Sequence, residues 1–296
     1  MSPTEIGQQI INALSLGSTY ALLALGLALV FGVMGLVNFA YGELVTITGY
    51  TMYLLTLNGV SWWIAIFVGI GFATIASLLM ERLAFRPLRN ASFLTLLFSS
   101  FALSVFLQNV FRATVSPRAK GILGPPILVE ALHLGPLTVS WLSVVTIVVG
   151  AVCVISLTMF MRGSLAGISM RAAAEDFAVA RLMGVKANRV IALAFAISGL
   201  LGGVAGVLWV ARSGSVEPAM GFTPILKAFI ATVIGGLGSL PGAVLGGFIL
   251  AAAEILFIAT LPTSVQPFSD PFSLLLVIAI LYFKPNGLLA PVAERA

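Results

Sequence analysis

Residues 17–44 read GSTYALLALGLALVFGVMGLVNFAYGEL, and this stretch decides the class of fold. Its first part belongs to an apolar run from Ile10 to Leu36, which exceeds the roughly 20 residues that a helix needs to cross a bilayer. Its second part, from Asn38 to Glu43, interrupts the apolar pattern. Non-helical backbone is tolerated at membrane depth only where protein or a water-filled cavity covers it. The stretch therefore predicts one full membrane span followed by a broken helix inside a bundle.

The rest of the chain repeats this pattern of apolar runs. Of 296 residues, 60% are hydrophobic and 8% are charged, whereas roughly a quarter of an ordinary soluble domain is charged. The runs are Ile10–Leu36, Leu44–Leu57, Trp62–Met80, Phe93–Phe111, Val139–Met161, Val190–Ala211, Pro224–Ile234, Ala243–Leu261 and Phe272–Phe283. This composition excludes a water-soluble fold. We predict an all-α, polytopic transmembrane helix bundle of eight or nine spans, some short or broken, that forms a single domain over residues 1–296.

Basic residues predict which loops face the cytoplasm. Three arginines lie in the loop at residues 81–90, and five basic residues lie in the loop from Arg162 to Arg189. Loops rich in Lys and Arg stay on the cytoplasmic side, and two spans separate these loops, so both are predicted to be cytoplasmic. The same parity places the loop from Arg112 to Thr138 outside. Topology thus explains the net charge of +5, and no nucleic-acid partner is predicted.

The sequence contains few of the residues that catalytic and metal sites require. No lysine follows a glycine, so the GxxxxGK[ST] phosphate-binding loop is missing, and energy for active transport has to come from another subunit. The one histidine, His133, lies in a predicted loop, and the one cysteine, Cys153, lies in an apolar run. We predict no catalytic residue, no metal site and no cofactor. A secondary transporter is an alternative, but it would need coupling-ion carboxylates and inverted repeats, and the sequence has few acids and no evident repeat.

Three ionisable residues fall within or beside apolar runs, where charges are costly and are functional by default. Two roles stay open for Glu43: its carboxylate caps the following helix, or it lines a translocation path. Lys227 and Glu254 either pair across neighbouring helices or extend separately to the membrane interface. We favour the pair.

Two interruptions of the apolar pattern are candidate borders of a translocation path. The residues proposed to border it are Asn38, Tyr41, Glu43, Gly235, Gly236 and Gly238. Unwound backbone beside a cavity can offer N–H and C=O groups to a zwitterionic substrate. In the alternative interpretation, the glycines only allow helices to pack closely. Both interpretations stay open.

Residues 170–190, MRAAAEDFAVARLMGVKANRV, favour a helix but are too polar to span a membrane. On a single helix, one face would collect small and apolar side chains. Its members are Met170, Ala173, Ala174, Phe177, Ala180 and Gly184. Such a helix either lies on the membrane surface or docks in a groove of a partner protein. Alanines anchor poorly in lipid, so we favour a partner and predict a cytoplasmic coupling loop at about 162–189.

Four long motifs give this chain a family resemblance that runs nearly from end to end. In chain order they are GSTYALLALGLALVFGVMGLVNFAYGE (17–43), ERLAFRPLR (81–89), RAAAEDFAVARLMGV (171–185) and KAFIATVIGGLGSLPGAVLGG (227–247). The chain resembles the LivH-type permease of bacterial branched-chain amino acid ABC importers. The third motif is similar to the family's coupling loop, and the others are similar to its N-terminal signature, first cytoplasmic loop and C-terminal glycine-rich motif.

The resemblance implies a complex that composition could not reveal. Its members would be this chain, a second permease subunit, two ATP-binding subunits and a periplasmic substrate-binding protein, in the bacterial inner (plasma) membrane. The substrate implied is a branched-chain amino acid, that is leucine, isoleucine or valine. Members of the broader family carry urea, short amides or aromatic acids, so these remain alternative substrates.

Overall fold

A computed structural model describes residues 3–89, 91–128, 130–134, 137–262, 266 and 269–289 of this protein. Helices form almost all of it, which confirms the predicted all-α bundle. In chain order they are α1 (Pro3–Met34), α2 (Glu43–Leu57), α3 (Trp62–Met80), α4 (Phe93–Thr114), α5 (Trp141–Gly163), α6 (Leu165–Glu175), α7 (Phe177–Leu182), α8 (Ala187–Ser213), α9 (Phe222–Gly235), α10 (Leu240–Thr260) and α11 (Ser269–Phe283). A 3-10 segment, Phe39–Gly42, precedes α2, and a π-helical turn, Glu81–Phe85, extends α3.

Among the described residues, six helices are long and apolar enough to cross a bilayer, namely α1, α3, α4, α5, α8 and α10. The three short apolar runs of the sequence also form helices, α2, α9 and α11, of 15, 14 and 15 residues. At a rise of 1.5 Å per residue, each is roughly 21–23 Å long, less than the hydrocarbon core of about 30 Å. Helix length and composition therefore give six candidate spans, and the predicted eight or nine would need the short helices as well.

Helix α1 is the centre of the bundle. Of its apolar 18-residue central stretch, 89% is buried, and the helix packs against α5, α8, α9 and α10. Small residues bring these neighbours close, since a Cβ atom added at Gly247 of α10 would lie 2.7 Å from the backbone nitrogen of Ala21. Helices α3, α4 and α5 are peripheral and expose apolar side chains such as Phe67 and Phe98. Lipid or a partner subunit is expected to cover such faces.

One end of the bundle carries short strands, a local departure from the all-α prediction. Strand β1 (Lys120–Gly121) pairs with β4 (Ser215–Val216), and β2 (Ala131–Leu134) forms a hairpin with β3 (Leu137–Ser140). His133 lies in β2 and not in an irregular loop, and its side chain lies outside the described residues. Gln8 Nε2 donates to the carbonyl oxygen of Thr138 at 2.9 Å. We call this the hairpin end; it contains the start of α1 and the loop from Arg112 to Thr138.

The opposite end contains both arginine-rich loops, and we call it the arginine end. An Arg89 guanidinium nitrogen donates to Asn188 Oδ1, which joins the loop after α3 to the start of α8. The end of α1 lies here too, because Val33 and Met34 line the same cavity as Arg89. The prediction that the two loops share one side is confirmed.

Candidate functional site

The chain leaves helical geometry between α1 and α2. Gly35 ends α1 with a left-handed φ of +64°, and its N–H donates to the Phe31 carbonyl at 2.7 Å. The backbone that follows runs through the interior, where α4 supplies the missing partners. Ser100 Oγ accepts from the N–H of Phe39 at 3.2 Å and lies 3.3 Å from the Val37 carbonyl. Protein thus covers this break, as non-helical backbone at membrane depth requires.

Aromatic side chains fill the space around the break. Phe39 stacks on Phe101 of α4, with ring centroids 4.2 Å apart, and meets Phe229 of α9 at 5.4 Å. Asn38 and Tyr41 are both buried. A Cβ atom added at Gly26 of α1 would lie 2.0 Å from Tyr41 Oη, so the phenol fits only against glycine. These proposed path residues are packed into a closed interior in this structure.

Glu43, the first residue of α2, is fully buried. Its Oε1 accepts hydrogen bonds from Ser104 Oγ at 2.8 Å and from Gln108 Nε2 at 2.9 Å, both on α4. Its Oε2 is buried and has no hydrogen-bond partner among the described residues. Neither carboxylate oxygen accepts from a backbone N–H of α2, so the helix-cap prediction is wrong for the hydrogen bond. Glu43 does lie in the first turn of α2, where its charge is favourable for the helix dipole. The carboxylate turns towards α4 because two polar side chains there can solvate it.

The start of α9 meets the start of α2. A Cβ atom added at Gly42 would lie 2.4 Å from the Gly221 carbonyl oxygen, and one added at Gly221 would lie 2.0 Å from the Gly42 carbonyl oxygen. The Gly221 N–H also donates to Thr46 Oγ1 at 3.2 Å. Two short helices therefore begin at one place inside the bundle, and their helix dipoles favour negative charge there. The first N–H groups already have partners, since that of Glu43 bonds to the Ala40 and Tyr41 carbonyls and that of Phe222 to the Ala219 carbonyl.

Sequence reasoning missed this contact. The signal that could have revealed it is a matched pair: Gly42 and Gly221 each directly precede a short apolar helix. Paired interrupted segments of this kind commonly mark binding sites in transporters.

The glycine-rich turn after α9 lies elsewhere, at the arginine end. Gly236 and Gly238 have φ values of +106° and +86°, which side chains rarely adopt. A Cβ atom added at Gly238 would lie 3.8 Å from Phe31, near the end of α1, and one added at Gly235 would lie 2.0 Å from the Gly242 carbonyl oxygen. The turn is not brought together with Glu43, and its geometry favours the close-packing interpretation.

Lys227 and Glu254 form the predicted pair between α9 and α10. Lys227 Nζ lies 2.7 Å from Glu254 Oε1, and Tyr20 Oη of α1 donates to Glu254 Oε2 at 2.9 Å. Both charged side chains are largely buried. The cluster thus fixes three helices to one another, and the prediction of a pair is confirmed.

The predicted amphipathic helix of the coupling loop is wrong as a single helix. Asp176 has extended φ and ψ angles of −147° and 107°, and its Oδ1 accepts from the N–H groups of Ala178 and Val179 at 2.8 and 2.9 Å. An aspartate that caps a new helix in this way ends the preceding one. The segment therefore folds as α6 and α7 with a break at Asp176.

The face predicted to dock on a partner mostly points into the chain itself. Met170, Ala173 and Ala180 are buried, and Phe177 is half-buried. Ala174 and Gly184 are exposed. The large apolar side chains that reach solvent from this region are Leu165, Ile168, Val179, Leu182 and Met183, of which Leu182 is 87% exposed. A partner that approaches α6 and α7 would meet these side chains and not Ala173 or Ala180.

Comparisons with known proteins cover nearly the whole chain. A family model described as the permease component of the branched-chain amino acid transport system matches residues 9–283. The chain is 38% identical to the high-affinity branched-chain amino acid transport system permease protein LivH of Salmonella typhimurium over 97% of both chains. It is likewise 38% identical to LivH of Escherichia coli K12 and 36% identical to BraD of Pseudomonas aeruginosa, again over 97% of each chain. Within the described residues, no group of three His, Cys, Asp or Glu side chains is placed to hold a metal ion.

Proposed function

This chain belongs to the branched-chain amino acid permease family, and we propose that it is the membrane-spanning permease subunit of an ABC importer that moves leucine, isoleucine and valine across the bacterial inner membrane. Relatives named as branched-chain amino acid permeases are 36–38% identical over 97% of the chain. Because the sequence lacks a phosphate-binding loop, two separate ATP-binding subunits would supply the energy. A second permease subunit and a periplasmic binding protein would complete the complex.

The single observation that carries the proposed path is the convergence of two helix starts beside a buried carboxylate. The N-terminal ends of α2 and α9 meet at Gly42 and Gly221, and Glu43 lies next to them. Helix N-termini attract a carboxylate, and Glu43 can attract an ammonium group. An amino-acid zwitterion carries both groups. Phe39 and its aromatic neighbours would offer an apolar wall to the aliphatic side chain.

We further propose nine membrane crossings with the N-terminus outside. The six long helices cross alone, α11 adds one crossing, and α2 and α9 complete two crossings together with the irregular segments before them. In support, the start of α1 lies at the hairpin end, and a Cβ atom added at Gly287, after α11, would lie 2.5 Å from Gly236 at the arginine end. The arginine end would be cytoplasmic.

The coupling surface would be the exposed apolar part of α6 and α7. Leu182 and Met183 are 87% and 81% exposed at the arginine end. Exposed apolar residues in an otherwise polar loop favour burial against a partner. We assign this contact to the ATP-binding subunits and assign Ala173 and Ala180 to the packing that positions α7.

Uptake by the complete complex tests this function. The chain would be co-produced with its partner subunits, reconstituted into vesicles and supplied with the binding protein and labelled leucine. ATP-dependent uptake that excess isoleucine or valine suppresses, but urea, acetamide or benzoate does not, is the expected result. Uptake that follows an ion gradient without ATP would establish a secondary transporter instead. Suppression by urea, acetamide or benzoate alone would assign the chain to another substrate class of the family.

A further inference from the structure

Five basic residues line a cavity of about 910 Å³ at the arginine end. The end of α1, the segment after α3, α7 and the start of α8 surround it. Its basic residues are Arg86, Arg89, Arg181, Lys186 and Arg189. They come from two stretches of the chain, 86–89 and 181–189, which the fold brings to one cavity.

The positive charge of the cavity is poorly balanced. Among the described residues, Glu81 pairs with Arg89, and no acidic side chain lines the cavity. The other four basic side chains form no ion pair with a described residue. Arg86, Arg181, Lys186 and Arg189 are exposed, so water and salt screen part of their mutual repulsion. An anion bound among them would remove the rest.

Hydrogen-bond donors at the cavity are also left over. Arg89 Nε is buried and has no hydrogen-bond partner among the described residues. Helix α8, which has 27 residues, begins at the cavity wall with Lys186 as its N-cap, and no side chain caps it. Uncapped N–H groups together with the helix dipole favour phosphate and other anions. Cationic side chains, the Arg89 Nε–H group and the N-terminus of α8 therefore surround one cavity, and each of them favours binding of a phosphate group.

The surroundings indicate that this phosphate belongs to a lipid. The cavity lies at the ends of three spanning helices, α1, α3 and α8, which is where headgroups lie. Ile75, Leu79 and Leu83 are 56%, 49% and 72% exposed, and their four-residue spacing forms an apolar stripe down the outer face of α3. Arg86 follows three residues after Leu83 and lines the cavity. The cavity therefore continues a lipid-facing surface.

The apolar part of the lining fits the same ligand. Val33 and Met34 of α1 and Ile191 of α8 line the cavity together with the basic residues. A free anion would gain nothing from them, whereas the glycerol and first methylene groups of a phospholipid would.

We propose that this cavity binds the phosphate headgroup of an anionic phospholipid, held by Arg86, Arg181 and Arg189 at the cytoplasmic surface of the membrane. Basic pockets between membrane helices on this side recognise such headgroups in other proteins. The proposal does not depend on which substrate the protein transports. Because Phe177 and Arg181 of α7 also line the cavity, a bound lipid would contact the helix to which we assign coupling.

Lipid retention by charge-removal variants tests the site. The full-length chain, wild type or R86Q/R181Q, would be purified from vesicles of equal phosphatidylglycerol and phosphatidylcholine, and its bound lipid would be counted by native mass spectrometry. Arg86 and Arg181 make no ion pair with a described residue, so the variant should keep its thermal midpoint. Phosphatidylglycerol retention is expected to fall about fivefold for each charge removed. R112Q/R118Q, which removes two charges at the hairpin end, is the matched control and should retain the lipid.

Several results would overturn the proposal. The proposal would be wrong if R86Q/R181Q retained as much phosphatidylglycerol as the wild type. It would also be wrong if the wild type retained as much phosphatidylcholine as phosphatidylglycerol. Displacement of the lipid by millimolar glycerol phosphate would assign the cavity to a soluble anion. If the variant kept its lipid but, when co-produced with the ATP-binding subunits, no longer co-purified with them, the basic cluster would be a protein contact. If lipid binding were normal but the complex did not transport leucine, the proposed transport function would be wrong and the lipid site would stand.

Discussion

The backbones of Gly42 and Gly221 lie in direct contact, so that a Cβ atom at Gly221 would come within 2.0 Å of the Gly42 carbonyl oxygen. This contact joins the first turn of α2 to the first turn of α9. Neither helix can move away from the other without exposing interior backbone, which is costly at membrane depth. The contact therefore determines how closely the start of α9 approaches Glu43, the first residue of α2.

Replacement of Gly221 by alanine should disturb this junction. Because the added methyl group overlaps a backbone oxygen, we expect the free energy of unfolding to fall by about 1–3 kcal/mol. Thermal unfolding in detergent measures the loss, and leucine uptake should fall with it. Gly71→Ala on α3 is the matched control, since nothing lies within 4 Å of its added Cβ atom. An unchanged thermal midpoint for Gly221→Ala would show that the two helix starts can separate.

Glu43→Gln separates the charge of this side chain from its shape. The amide can still accept from Ser104 and Gln108, as the carboxylate does, so assembly should be normal. If the charge contacts a substrate ammonium group, leucine uptake should fall about tenfold or more, because hydrogen bonds to charged groups contribute about 1.5–3 kcal/mol. Glu217→Gln, at an exposed position, is the matched control and should transport normally. Full uptake by Glu43→Gln would remove Glu43 from the path.

The bilayer explains how much of this fold could be predicted. Each span needs a long apolar run, so the runs alone locate the long helices and even the short ones. Lys227 and Glu254 could be paired from sequence because few other charges lie in neighbouring spans. In contrast, the contact of Gly42 with Gly221 depends on how α2 and α9 pack against the rest of the bundle, and no local pattern encodes that packing.

The coupling loop shows a second limit of sequence reasoning. The periodicity correctly grouped Met170 and Ala173 on one face of α6 and placed Ala180 among the buried residues of α7, but it does not reveal what covers these residues. In the structure the protein's own bundle covers these residues. The break at Asp176 was likewise missed, although aspartate is among the preferred residues for starting a helix.

The buried pair of Lys227 and Glu254 should show strong coupling. Lys227→Met or Glu254→Gln alone leaves a buried charge without its partner, which typically costs about 3–5 kcal/mol. The double variant removes both charges and should recover most of that loss, as thermal unfolding in detergent would show. Tyr20→Phe removes the hydrogen bond to Glu254 Oε2 and should have a smaller effect. Additive losses in the double variant would contradict a direct pair.

Single-cysteine labelling tests the proposed orientation of the protein in the membrane. Cys153 is the only native cysteine, so Cys153→Ala gives a background without thiols. Leu123→Cys, at the hairpin end, is 95% exposed, and Leu182→Cys, at the arginine end, is 87% exposed. A membrane-impermeant maleimide should label the first in intact spheroplasts and the second only after permeabilisation. Labelling in the reverse order would invert the topology and move the lipid site to the outer surface.

Cross-linking to the ATP-binding subunits distinguishes the exposed surface of α7 from its buried face. In the assembled complex, cysteines at Leu182 and Met183 should cross-link, because both side chains reach solvent, whereas a cysteine at Ala173, which is 4% exposed, should not. Leu182→Asp should lower ATP-driven uptake while the permease still folds, since a carboxylate there costs nothing until a partner buries it. A bulky residue at Gly184 should also impair coupling, because its φ of +86° strains any side chain. Cross-links at Ala173 without any at Leu182 would show that the surface of Met170, Ala173 and Ala180 contacts the ATP-binding subunits. Helices α6 and α7 would then have to rotate on assembly.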